Sequence, residues 1–145
     1  MRKLTAGGMT NKLFTVIREQ MFLCYDIGSG YHGSKGILTV SAGIDSTMDK
    51  TVRQEIMNQI SACQKGNITP YELEEARQTL ITQLQQAHDS PVSIENYYST
   101  AALSGMKMTP EAYIRAVQET TLEQVVEAAN TLQLHSVYFL KGVQA

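Results

Sequence analysis

The chain has no tryptophan, only three prolines, three histidines and two cysteines, and aromatic residues make up 7% of it. Two cysteines cannot staple a small disulfide scaffold. Cys24 and Cys63 fall in different expected elements with apolar neighbours, so both read as reduced, buried thiols of a cytoplasmic protein. The histidines His32, His88 and His135 fall in an expected turn, at a helix end and ahead of a strand. No two stand four apart, and neither His-Glu-x-x-His nor His-x-x-Glu-His occurs, so no metal is expected in this chain. No apolar run approaches the ~18 residues a membrane crossing needs. The charged start Met1-Arg2-Lys3-Leu4 runs into Thr5-Ala6-Gly7-Gly8-Met9-Thr10-Asn11-Lys12, which is too polar for an export signal. Lysines and arginines are scattered singly and net charge is −2, so the basic footprint of a nucleic-acid binder is missing. Neither nucleic acid nor a membrane is expected as a partner.

What is present is a globular composition, 43% apolar and 18% charged over 145 residues, which suits one domain spanning residues 1–145. Thr10 is placed to cap a short helix carrying Leu13, Phe14 and Ile17 and ending near Gln20. Residues 22–31 and 37–44 read as strands, with His32-Gly33-Ser34-Lys35-Gly36 as the turn between them. Val40, Ala42 and Ile44 alternate with Thr39, Ser41 and Gly43, as in a sheet with one covered face. Gly28-Ser29-Gly30 opens no helix and so is not a phosphate loop; a bend or a close backbone approach is the expectation.

From Asp45 to about Leu134 the pattern is helical. Val52, Ile56, Ile60 and Cys63 line a first long helix that Lys65-Gly66-Asn67 stops. Thr69-Pro70-Tyr71-Glu72 starts a second, with Leu73, Ala76, Leu80, Leu84 and Ala87 in a stripe, and Ser90-Pro91 breaks it. A third spans about 94–103. Thr109-Pro110-Glu111 starts a fourth with Tyr113, Ile114 and Val117 inward, and Thr121-Leu122-Glu123-Gln124 a fifth with Val125, Val126 and Ala129 inward. Ser136-Val137-Tyr138-Phe139-Leu140 reads as a last strand that returns to the sheet. Clustered strands and clustered helices predict an α+β two-layer sandwich, with helices on one face of a small, mostly antiparallel sheet.

Chemistry is sparse. Arg18, at the end of the first helix, and Tyr25, seven residues on at the start of a strand, can be aimed at one place by a tight helix-to-strand connection. A guanidinium offers a planar fork of donors for a carboxylate or a carbonyl, and a phenol can donate to a developing oxyanion. The plain alternative is an arginine favoured by a helix C-terminus and an ordinary strand tyrosine. Ser29 lacks the strand-to-helix turn of a hydrolase nucleophile, and neither Ser29 nor Cys24 has a histidine base recognisable by sequence.

The stretch from Gly7-Gly8 through Lys12-Leu13-Phe14, Ile17-Arg18-Glu19 and Leu23-Cys24-Tyr25 resembles the pitrilysin/insulinase family of zinc peptidases, which includes mitochondrial processing peptidase and its bacterial relatives. The segment it resembles is the later, non-zinc half, as in bacterial processing-protease-like proteins. The likeness continues through Gly36-Ile37-Leu38-Thr39-Val40, Gly66-Asn67-Ile68-Thr69, Glu72-Leu73-Glu74, the break at Asp89-Ser90 and Val137-Tyr138-Phe139-Leu140. It implies an α+β half-domain that faces a zinc-bearing half across a chamber for extended peptides. In that arrangement Arg18 would hold the substrate and Tyr25 would face the scissile carbonyl. The zinc motif is absent here, so zinc would sit in a partner half or subunit, and this chain would be inactive alone. The family's half-domain places a strand and a helix ahead of the glycines, whereas six residues precede them here. The chain therefore reads as the later portion of a longer protein or as a shortened homologue. Its open sheet edge is expected to be covered by a second copy or another chain. A non-catalytic interaction or scaffold domain of the same fold is the alternative.

Overall fold

The structure, a computed structural model, describes residues 12–88, 90–103 and 105–142, without the side chains of Ala87 and His88. The expected cap Thr10 and the paired glycines Gly7 and Gly8 lie outside these residues. In chain order the elements are α1 (Phe14–Gln20), β1 (Asp26–His32), β2 (Ile37–Gly43), α2 (Asp49–Gln64), α3 (Pro70–His88), α4 (Pro91–Leu103), α5 (Pro110–Gln118) and α6 (Leu122–Asn130). The architecture is α+β, with helices packed against an antiparallel sheet of two described strands.

The hairpin pairs Asp26 with Gly43 and His32 with Ile37. Ile27 faces Ala42, Ser29 faces Val40 and Tyr31 faces Leu38, so one side of the sheet carries the apolar residues. That side closes on a core of Leu13, Ile17, Ile27 and Val52, with Leu38, Val40, Ala42, Ile44, Ile56 and Ile60 packed around it. The inward stripe of α1 and the alternation of β2 thus bury the same cluster. A second core, Ala76, Leu80, Ile81, Val117 and Val125, joins α3, α5 and α6.

Helix boundaries follow their capping residues. Thr69 and Glu72 exchange bonds at the start of α3: the Thr69 N–H donates to Glu72 Oε2 (2.7 Å) and the Glu72 N–H to Thr69 Oγ1 (3.2 Å). Lys12 Nζ adds an ion pair to Glu72 at 2.9 Å and donates to the Asn67 carbonyl at 2.8 Å, which ties the start of the described chain to this cap. Thr109 caps α5, and Thr121 with Gln124 forms a capping box at α6. α4 starts at Pro91, ahead of the expected residue 94, because proline suits a first helical position. α2 starts at Asp49, after the chain turns through Asp45, whose carboxylate accepts from the Thr47 N–H and hydroxyl.

Four expectations need correction. α1 winds as a π-helix, and the Met21 N–H closes it on the Val16 carbonyl five residues back. β1 begins at Asp26 because Phe22 takes a left-handed φ of 53°, which no strand accommodates. Gly28 and Gly30 mark no close approach: a Cβ at Gly28 would meet nothing within 4 Å and one at Gly30 only Thr39 Oγ1 at 3.6 Å. They sit in a regular ladder, where Thr39 Oγ1 donates to the Gly30 carbonyl at 3.2 Å. Finally, residues 136–140 belong to no sheet. Val137, Tyr138, Phe139 and Leu140 are exposed, for a strand forms only where a neighbour supplies its hydrogen bonds.

Candidate functional site

The last turn of α1 and the bend leading into β1 form one corner of the molecule. Leu13 and Ile17, both fully buried, fix α1 on the core, which turns Arg18 outward. The arginine does not hang free: its guanidinium carbon lies 4.6 Å from the centroid of the Phe14 ring. Such a stack contributes about 0.5–1 kcal/mol at an exposed site and limits the orientations the fork can take. The bend is set by two backbone bonds, Met21 N–H to the Val16 carbonyl (3.0 Å) and Leu23 N–H to the Ile17 carbonyl (2.9 Å). Between them Phe22 takes the left-handed position usual after a helix cap. For a residue with a Cβ that conformation costs roughly 1–2 kcal/mol.

Beyond the bend, the Tyr25 N–H donates to the Gly43 carbonyl at 2.8 Å, so its backbone is pinned to the end of the hairpin. Tyr25 is 72% exposed. Arg18 and Tyr25, the two residues singled out in the sequence, are therefore both on the surface, one on each side of the bend. Met21 and Phe22 are exposed between them. The bend thus carries a stacked cation on one side, a tyrosine on the other, and exposed apolar side chains between them in the chain.

Cys24 lies inside the bend, half-buried and unpaired. Burial pushes its thiol up, the Arg18 charge draws it down, and Asp26 adds a further upward push. The net shift is upward, which leaves a thiol and not the thiolate a nucleophile requires. Cys63 is buried, and its thiol too is raised by that burial, against the pull of Lys12. Ser29 sits mid-strand opposite Val40, away from any strand-to-helix turn. Among the described residues, no three His, Cys, Asp or Glu side chains form a group that could hold a metal ion. No described helix is long and apolar enough to cross a membrane.

Two members of the corner escaped the sequence reading. The periodicity puts Phe14 in the apolar stripe of α1, but its place four residues before Arg18 is also the spacing at which side chains on one helix face meet. Phe22 has the composition of a strand residue, and nothing local in the sequence marks its left-handed backbone.

The family model for the peptidase M16 inactive domain matches residues 1–80. A "Probable inactive metalloprotease YmfF" of Bacillus subtilis (strain 168) is 24% identical over 141 residues, which is 97% of this chain and 33% of that protein. An "Uncharacterized zinc protease" of Rickettsia bellii is 25% identical over 129 residues, 87% of this chain and 31% of that protein. Among solved structures, a conserved protein from Enterococcus faecalis V583 superposes with a TM-score of 0.77 at 23% identity, over 89% of this chain and 32% of that one. A protease from Helicobacter pylori superposes with a TM-score of 0.72 at 12% identity, over 90% and 34% respectively. These two structures share the fold. The chain spans about a third of the length of the relatives it matches.

Proposed function

Because the chain belongs to the peptidase M16 inactive-domain family, we propose that its residues 1–145 form the substrate-binding, non-zinc half of a zinc-dependent peptidase-like assembly. In this reading a zinc-bearing homologous half, on another segment or subunit, supplies water activation. This chain holds the peptide and has no activity alone. The observation that carries the reading is the exposed pair at the helix-to-strand corner, Arg18 stacked on Phe14 and Tyr25 fixed by its backbone to Gly43. Arg18 would donate its fork to a substrate carbonyl or carboxylate. The Tyr25 hydroxyl would donate to the oxygen of the scissile carbonyl as charge develops on it. The unpaired cysteines suit a cytoplasmic setting, where thiols stay reduced.

Binding of a fluorescein-labelled extended peptide to the purified chain, read by anisotropy, tests the substrate-side role. Arg18→Ala and Tyr25→Ala should each weaken it, and unchanged affinity in both removes the assignment.

One observation favours a second reading. Among the described residues the sheet has two strands, so its edges lack a described partner, and Val137 to Leu140 lie exposed without a described partner strand. A scaffold domain of the same fold would use such edges for a second copy or another chain. Peptide affinity indifferent to both Arg18 and Tyr25, together with concentration-dependent self-association, would favour it.

A further inference from the structure

Arginines of this chain are held in two different ways. Arg53 donates from Nη2 to both carboxylate oxygens of Asp49, at 2.7 and 2.8 Å. Arg77 donates from Nη1 to Glu74 Oε2 and from Nη2 to the Thr120 carbonyl. Arg18 has no such acceptor among the described residues; its guanidinium carbon lies over the Phe14 ring, 4.6 Å from the centroid. The N–H groups of a guanidinium radiate in its plane, so an acceptor occupies an edge whereas a ring occupies a face. A ring also leaves the positive charge unneutralised, where a carboxylate would compete with an incoming acceptor. The ring beneath Arg18 is itself restrained, since Phe14 is half-buried and packs against the core of Leu13, Ile17, Ile27 and Val52. The cation is thus tethered to the core through its face, with its donors unspent.

We propose that Phe14 is a positioning residue for Arg18: its ring holds the guanidinium in a binding-ready orientation while every N–H donor stays available to the peptide. The proposal rests on the substrate-side reading of Arg18. Phe14 acts through the arginine and makes no contact of its own with the peptide. An untethered surface arginine samples many rotamers, and immobilising such a side chain on binding weakens affinity by roughly two- to tenfold. With the stack in place, that ordering is complete before the peptide arrives. The contact needs an aromatic face, so tyrosine can replace Phe14 and leucine, though apolar, cannot.

The test joins a spectroscopic readout to a binding readout on the full chain. In the NMR spectrum of the unaltered chain, the Phe14 ring current should shift the Arg18 side-chain protons upfield. Phe14→Tyr should keep that shift and Phe14→Leu should abolish it. Arg18 protons at ordinary arginine positions in the unaltered chain would overturn the proposal before any variant is made. Anisotropy of a fluorescein-labelled peptide of alternating serine and leucine is then measured with the unaltered chain, Phe14→Leu, Phe14→Tyr, Arg18→Ala and the double variant of Phe14→Leu with Arg18→Ala. Phe14→Leu should weaken binding roughly two- to tenfold, Phe14→Tyr should bind like the parent, and Phe14→Leu should change nothing once Arg18 is alanine. A ring that only packs the core, or that meets the peptide itself, would weaken binding with or without Arg18, and that result overturns the proposal. If Arg18→Ala weakens binding while Phe14→Leu leaves it unchanged or tighter, the positioning role falls and the substrate-side reading stands. If the unaltered chain binds no peptide, or Arg18→Ala changes nothing, the reading falls and takes the proposal with it.

Discussion

Replacing Ile17 by alanine perturbs the site without touching any residue that would meet a substrate. Ile17 is fully buried and packs with Leu13, Ile27 and Val52, and its carbonyl accepts the Leu23 N–H that shapes the bend. Truncating a buried Ile to Ala costs about 2–5 kcal/mol. Chains of this size are stable by only about 5–15 kcal/mol. With a urea dependence of about 2 kcal/mol per molar, a loss near 3 kcal/mol lowers the unfolding midpoint by roughly 1.5 M. Leu80→Ala is the control, because Leu80 is nearly as buried but belongs to the separate core of α3, α5 and α6. Circular dichroism in urea should report similar midpoint losses for the two variants. Peptide anisotropy without urea should separate them: Ile17→Ala loosens α1 and weakens binding, whereas Leu80→Ala binds like the parent. Equal affinity in both variants, each still folded, would refute the argument that the π-helical platform positions Arg18. So would a midpoint loss for Ile17→Ala well below that for Leu80→Ala.

Other outcomes follow from the same geometry. A double-mutant cycle on Phe14→Leu and Arg18→Ala should give a coupling of about 0.5–1 kcal/mol in unfolding free energy, the size of an exposed cation–ring contact; additive effects would mean that the stack contributes nothing. Burial alone would raise the Glu72 carboxyl, but the Thr69 N–H, Lys12 and the Thr69 hydroxyl outweigh it and hold it below the usual glutamate range. Its folded value lies under its unfolded one, so its stabilisation is complete above about pH 4.5 and is lost as pH falls through the folded value. Glu72→Gln should therefore flatten the acid side of a stability-against-pH curve, and an unchanged slope there would count against the network. Gly66→Ala should destabilise by roughly 1–2 kcal/mol through its backbone alone. At a φ of 77° the new Cβ would meet Val126 Cγ2 at an ordinary 3.5 Å, so a much larger loss in thermal unfolding would point to a clash instead.

How far the sequence could be read depended on whether a feature is decided locally. The starts of α3, α5 and α6 were legible because Thr69, Thr109 and Thr121 meet their own helix within three residues, and Pro70 and Pro110 suit only the first turn. The hairpin was legible from the glycines around Ser34-Lys35 and from the alternation in β2. The π-helical winding of α1 was not, because Leu13, Phe14 and Ile17 fit an α-helical stripe equally well. Phe22-Leu23-Cys24-Tyr25 has strand composition, yet the left-handed turn at Phe22 comes from closing α1, a constraint that composition does not carry. Ser136 to Leu140 has strand composition too, but a strand is a relation between two segments, and none is described beside it. Within the candidate site, the exposure of Arg18 and Tyr25 could be anticipated from their places at a helix end and a strand start. The ring beneath Arg18 and the ring on the bend needed coordinates.

The most direct measurement of the substrate-side account is kcat for peptide cleavage by this chain assembled with a zinc-bearing homologous half, with Tyr25 intact or replaced by phenylalanine. Loss of one oxyanion donor should lower kcat by about a hundredfold or more, with little change in KM. A kcat for Tyr25→Phe equal to that of the parent would contradict the account.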